Sequence, residues 1–127
     1  MRLIDSSLWI ETLLGSPLGA AAKREIAPVE TCVVPTLVQH EIYKWLCRER
    51  SQAEAEGVIA LTMTCHVVPL DSAIALRAAD LAREYKLHTS DAIVYATALA
   101  TDGELLTCDA HFEALPRVRY FRKQLEQ

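Results

Sequence analysis

The chain has 127 residues, 51% of them hydrophobic and 24% charged, which suits one domain with a substantial core. Its net charge is −4, from 13 bases and 17 acids, so it lacks the overall basic balance of an ordinary nucleic-acid binder. No run approaches the about 18 apolar residues of a membrane span. Asp5 interrupts the N-terminus where a secretory apolar segment would continue, so the expected location is the cytoplasm. Only 4 Gly and 5 Pro argue against a long disordered stretch. The cysteines Cys32, Cys47, Cys65 and Cys108 form no C-x-x-C pair and read as buried free thiols.

In chain order, "RLID" (2–5) is a short apolar run ending in an acid and reads as a buried strand. Ser6 or Ser7 is the expected cap of a helix over 7–14, with Gly15 as its stop. Residues 16–27 follow as a second helix, with Ser16 at its cap and Pro17 in its first position. "TCVVP" (31–35) is β-branched and short, a second strand. In "TLVQHEIYKWLCRER" (36–50), Leu37, Val38, Ile42, Trp45 and Leu46 recur on one side of a helix. Residues 51–64 form a helical hairpin with it. "CHVVPL" (65–70) is a third strand, and Asp71 can cap an amphipathic helix over 72–86. An apolar helix (90–100), a fourth strand (104–107) and a possible fifth (117–121) complete the chain. Strands alternating with helices indicate an α/β fold, a mostly parallel sheet of four or five strands between helical layers, with 1–127 as one domain.

In such sheets ligands bind beyond the carboxyl ends of the strands. Asp5 ends the first strand, Asp109 lies two residues past the fourth, Asp91 opens a helix, and Glu41 lies in the helix after the second strand. Singly, each has a plain structural explanation. Asp5 can cap a helix, Asp91 can complement a helix dipole, and Asp109 can turn the chain. Glu41 fits least well, because Leu37 and Trp45 flank it on an apolar face. As a set, four clustered carboxylates repel one another unless a hard divalent cation joins them. Mg²⁺ or Mn²⁺ on such oxygens suits phosphodiester hydrolysis, and the helix start at Asp91 favours phosphate. Without those four, 13 acids remain against the 13 bases, so the rest of the molecule is neutral. Lys44 and Arg48 lie near the Glu41 side of their helix and are candidate contacts for an RNA backbone, as are Arg117, Arg119, Arg122 and Lys123 near the end; all are equally read as solvated charges. His40, His66, His88 and His111 show no metal-ligand spacing and read as surface or packing residues.

"LIDSSLWIE", the Glu in "PTLVQHEIYKWL", "HTSDAIVYATAL" and "LLTCDAHFEALPRVRYF", in that order, resemble the PIN-domain ribonucleases, most of all the VapC-type toxins of toxin–antitoxin modules. The resemblance implies a three-layer α/β/α fold and a Mg²⁺- or Mn²⁺-dependent endoribonuclease. Its acids fall on Asp5, Glu41, Asp91 and Asp109, with supporting hydroxyls at Ser6 and Thr107. It further implies a homodimer held inactive by a small VapB-type antitoxin, with helix 7–14 (Trp9) and hairpin 36–64 (Trp45) as possible docking surfaces. Water attack would leave a 5′-phosphate and a 3′-hydroxyl. Three other readings compete. A haloacid-dehalogenase-like phosphohydrolase wants a second Asp where Ser7 stands. A receiver domain wants paired acids after the first strand as well as Asp71 after the third. The last is an inactive PIN scaffold that binds RNA or protein.

Overall fold

A computed structural model describes residues 1–123; the last four residues of the expected domain, 124–127, lie outside the described residues. Five strands, β1 (Arg2–Ile4), β2 (Cys32–Pro35), β3 (His66–Val68), β4 (Glu104–Thr107) and β5 (Val118–Tyr120), form one sheet in the order β3-β2-β1-β4-β5. Every pairing is parallel. Six helices complete the three-layer architecture: α1 (Ser6–Leu14), α2 (Pro17–Lys23), α3 (Thr36–Glu49), α4 (Gln52–Met63), α5 (Ser72–Tyr85) and α6 (Thr89–Ala100). All the expected elements are present, most of them a residue or two shorter. The second helix stops at Lys23, well before the expected 27.

The three central strands are continuous apolar runs because both their faces are covered. Leu3, Ile4, Cys32, Val33, Val34, Leu105 and Leu106 are all fully buried. The edge strands β3 and β5 are only partly covered, and their residues are correspondingly more polar. Helix α6 is apolar on most sides because it is wrapped by the core: Ala92, Val94, Tyr95, Ala96, Thr97 and Ala98 are all buried. Tyr95 satisfies its one polar atom by donating its hydroxyl to the Pro116 carbonyl at 2.7 Å.

Two glycines shape the start of the chain. Gly15 ends α1 in the left-handed conformation, φ 69°. Gly19 lets α2 fold back against α1, because a Cβ there would lie 2.0 Å from the Glu11 carbonyl oxygen. Ser16 caps α2 as expected, accepting from Gly19 N. The cap of α1 differs from expectation. Asp5 takes that place, its carboxylate accepting from Ser6 N, so the helix starts at Ser6. A carboxylate at the end of a strand already points at the exposed amides of the next helix, and this displaces the serines from the role.

Two other expectations are corrected. Trp9 is 1% exposed and belongs to the core, so it offers no docking surface; Trp45 is half-buried. Of the cysteines only Cys32 and Cys108 are buried, while Cys65 is half-buried and Cys47 exposed; all four are free.

Candidate functional site

The sheet order reverses direction at the β1–β4 pair: the chain moves to one side of β1 for β2 and β3, then to the other for β4 and β5. At such a switch point the loops beyond the strand ends diverge and open a crevice. Register places the side chains there. Arg2 pairs with Glu104, Leu3 with Leu105 and Ile4 with Leu106. The ladder runs one step further, with Asp5 N donating to Leu106 O at 2.9 Å. Asp5 and Thr107 are therefore neighbours across the rim, and Thr107 Oγ1 donates to Asp5 Oδ2 at 2.9 Å.

Asp5 is 6% exposed and held from several sides. Its Oδ1 accepts from Ser6 N at 2.9 Å, and its Oδ2 accepts from Ser7 Oγ at 3.0 Å as well as from Thr107. Thr107, itself fully buried, accepts from Asp109 N at 2.9 Å. One hydroxyl thus links an acid that ends β1 to an acid that follows β4. Asp109 then caps a 3₁₀ turn over Ala110–Phe112, with its Oδ1 accepting from His111 N at 2.9 Å.

Asp91 occupies the first turn of α6 and Glu41 the middle of α3. The charges of neighbouring acids act on Asp5, Glu41 and Asp91. Burial raises the Asp5 carboxyl above its ordinary 3.8, against hydrogen bonds from Thr107, Ser7 and Ser6, with the Asp109 charge adding to the rise. Burial raises Glu41, and the charges of Asp5 and Asp91 raise it further, while the Ser6 hydroxyl opposes. Burial also raises Asp91, with Asp109 adding and His111 and His88 opposing. Thr107 thus ties Asp5 to Asp109, Asp91 lies beside Asp109 and His111, and the charges of Asp5 and Asp91 act on Glu41. Asp5 is buried and Glu41, Asp91 and Asp109 are half-buried, and carboxylates brought together in this way are short of positive charge. Their all-oxygen donor set fits a hard divalent cation.

Lys44 and Arg48 are exposed on α3, and Arg48 Nε donates to Glu49 Oε1 at 2.9 Å. The four bases near the end of the described chain are engaged in ion pairs. Arg117 pairs with Asp102 at 2.6 Å, and Arg119 with Glu25 at 2.7 Å and Glu104 at 2.8 Å. Arg122 pairs with Glu113 at 3.6 Å and Lys123 with Glu11 at 3.8 Å.

His111, read from the sequence as a surface or packing residue, is exposed and also faces two of the acids. His111 Nδ1 lies 3.2 Å from Asp109 Oδ1 and 3.6 Å from Asp91 Oδ2. Asp91, Asp109 and His111 form a group whose donor atoms lie within 4.8 Å of one another. The available signal was the D-x-H spacing: an Asp that caps a turn returns the residue two places on to its own carboxylate.

The competing phosphohydrolase and receiver geometries find no support. Ser7 stands where the second acid would be and spends its hydroxyl on Asp5. Asp71 caps α5, accepting from Ile74 N at 2.8 Å.

The family described as the PIN domain matches residues 2–118. The chain belongs to the PIN domain family. No curated protein sequence matches it. Among solved structures, this PIN domain is similar to a toxin–antitoxin complex from Klebsiella pneumoniae, with a TM-score of 0.78 and 24% identity over 94% of this chain and 96% of that one. It is similar to VapC20 of Mycobacterium tuberculosis, described as a sarcin–ricin loop cleaving toxin, with a TM-score of 0.73 and 19% identity over 93% and 97% of the two chains. VapBC-1 from nontypeable Haemophilus influenzae gives a TM-score of 0.72 and 16% identity over 94% and 96%. At these identities the likeness is one of fold, and the PIN architecture accounts for nearly the whole length of each chain. No helix among the described residues of this PIN domain is long and apolar enough to cross a membrane.

Proposed function

We propose that this PIN domain is the toxin of a toxin–antitoxin pair, a metal-dependent endoribonuclease acting on cytoplasmic RNA. The observation that carries the reading is the link from Asp5 through Thr107 to Asp109, with Asp91 beside Asp109 and with the charges of Asp5 and Asp91 acting on Glu41. Support comes from neighbours of the same fold described as toxins, one of them as cleaving the sarcin–ricin loop.

Asp5, Asp91, Asp109 and Glu41 would hold Mg²⁺ or Mn²⁺, which when bound acidifies a water molecule and offsets charge on the phosphoryl group. The rest is the work of the chain. Thr107 fixes the spacing of Asp5 and Asp109 by bonding both. Ser6 and Ser7, in the first turn of α1, hold Asp5 in one rotamer. No side chain caps the start of α6, and its amides would favour a phosphate there. Glu41, whose carboxyl is raised by burial and by the charges of Asp5 and Asp91, would take the proton of an attacking water. Lys44, the exposed base one turn beyond Glu41, and Arg48 would steer the RNA backbone. Water attack leaves a 5′-phosphate and a 3′-hydroxyl. A VapB-type antitoxin would silence the site, and the active form would be a homodimer; the Klebsiella neighbour is itself described as a toxin–antitoxin complex.

The test is cleavage of total RNA with and without Mg²⁺, wild type beside Asp91→Asn, followed by mapping of the ends. The reading expects metal-dependent cleavage by the wild type, at least about 100-fold less by the variant, and 5′-phosphate ends. Equal degradation by both proteins, or 2′,3′-cyclic phosphate ends, would refute it.

A further inference from the structure

Two imidazoles stand at the outer lip of the acidic cluster, and the mechanism above uses neither. His88 immediately precedes α6, and His111 lies in the 3₁₀ turn after Asp109; both are exposed. Their rings meet edge to face, with centroids 5.7 Å apart and planes at 69°. The backbone bond from His111 N to Asp109 Oδ1 fixes the main chain that carries the His111 ring.

Its orientation is specific. Nδ1 faces two carboxylate oxygens from different elements, at 3.2 Å and 3.6 Å. Ligands about 2.1 Å from a shared cation stand about 3.0 Å apart at right angles and about 3.4 Å apart in a tetrahedron. The shorter observed separation falls between those values and the longer is slightly above the second. A plain ion pair between an imidazolium and two carboxylates is the alternative, and it requires no cation.

We infer that His111 is a nitrogen ligand which, with Asp91 and Asp109, forms a mixed nitrogen–oxygen position that takes Mn²⁺ or a softer divalent ion in preference to Mg²⁺. The proposal rests on the reading that the acids bind a divalent cation and specifies which kind. Magnesium holds oxygen ligands and gives up its waters reluctantly, whereas imidazole strengthens binding of the later first-row ions. His88 acts through His111 as a positioning residue.

The test is pulsed electron paramagnetic resonance of Mn²⁺ added to the full chain at neutral pH, with Mn²⁺ and Mg²⁺ affinities measured by calorimetry. Bound Mn²⁺ should show nitrogen-14 modulation in the wild type and in His88→Ala, and none in His111→Ala. His111→Ala should weaken Mn²⁺ about tenfold and Mg²⁺ less than twofold. Mn²⁺ bound without nitrogen modulation, modulation that survives in His111→Ala, or equal loss of both ions would overturn the proposal while leaving the nuclease reading intact. Failure of the wild type to bind either ion, or binding unaffected by Asp91→Asn, would remove the metal reading itself.

Discussion

Glu41 shows how a single residue carries both a cost and a use. It sits in the stripe of α3 between Leu37 and Trp45, half-buried, with the charges of Asp5 and Asp91 acting on it. Its folded pKa is raised above the ordinary 4.5. A carboxyl raised on folding binds its proton more tightly in the folded protein than in the unfolded chain. The resulting stability is complete below the unfolded value and falls as pH rises through the folded one. Glu41→Gln should therefore raise the thermal midpoint of the metal-free protein at pH 7 and leave it unchanged at about pH 3, where both forms are neutral. Scanning calorimetry at the two pH values checks this, and the same variant should lose RNA cleavage. Thr107 makes the opposite case, a neutral residue that the charged ones depend on. Thr107→Val keeps the shape but strips Asp5 of a donor and Asp109 N of its acceptor. Urea unfolding should show a loss of about 1–3 kcal/mol. Both residues were visible in sequence, Glu41 as a charge on an apolar face and Thr107 through a family likeness. His111 was read only as a surface or packing residue, because its ring reaches the acids through a turn that Asp109 itself caps.

Elements were more legible than their ends. Hydrophobic period and cap chemistry located the strands and helices, since Ser16 and Asp71 each cap the helix that follows, as expected. The start of α1 was misread because Asp5 answers to two elements at once, ending a strand and capping a helix. The closeness of α1 and α2 was invisible, because nothing local in Gly19 reports the Glu11 carbonyl beside it. Gly19→Ala places a Cβ against the Glu11 and Thr12 backbone of α1. It should cost about 1–3 kcal/mol in chemical denaturation, with the helices forced apart. A control at Gly57, where an added Cβ meets nothing within 4 Å, should be neutral or stabilising, since alanine is the better helix former.

Across the whole molecule, the fold class followed from the alternation of elements, but strand order did not. The site depends on that order: only when β4 joins the opposite side of β1 from β2 do Asp5 and Thr107 become cross-strand neighbours. Long-range pairing also decides the fate of the bases near the chain end. Arg119 reaches Glu25, 94 residues away in sequence, so a run that reads as a basic patch is largely neutralised in place. The central claim is that four carboxylates distant in sequence share one divalent ion. Crystals soaked in Mn²⁺ and measured for anomalous scattering test it directly. The account predicts a peak within about 2.1–2.3 Å of oxygens of Asp5, Asp91 or Asp109, with Glu41 bound directly or through water. Manganese at another surface, or no peak at saturating ion, would contradict it.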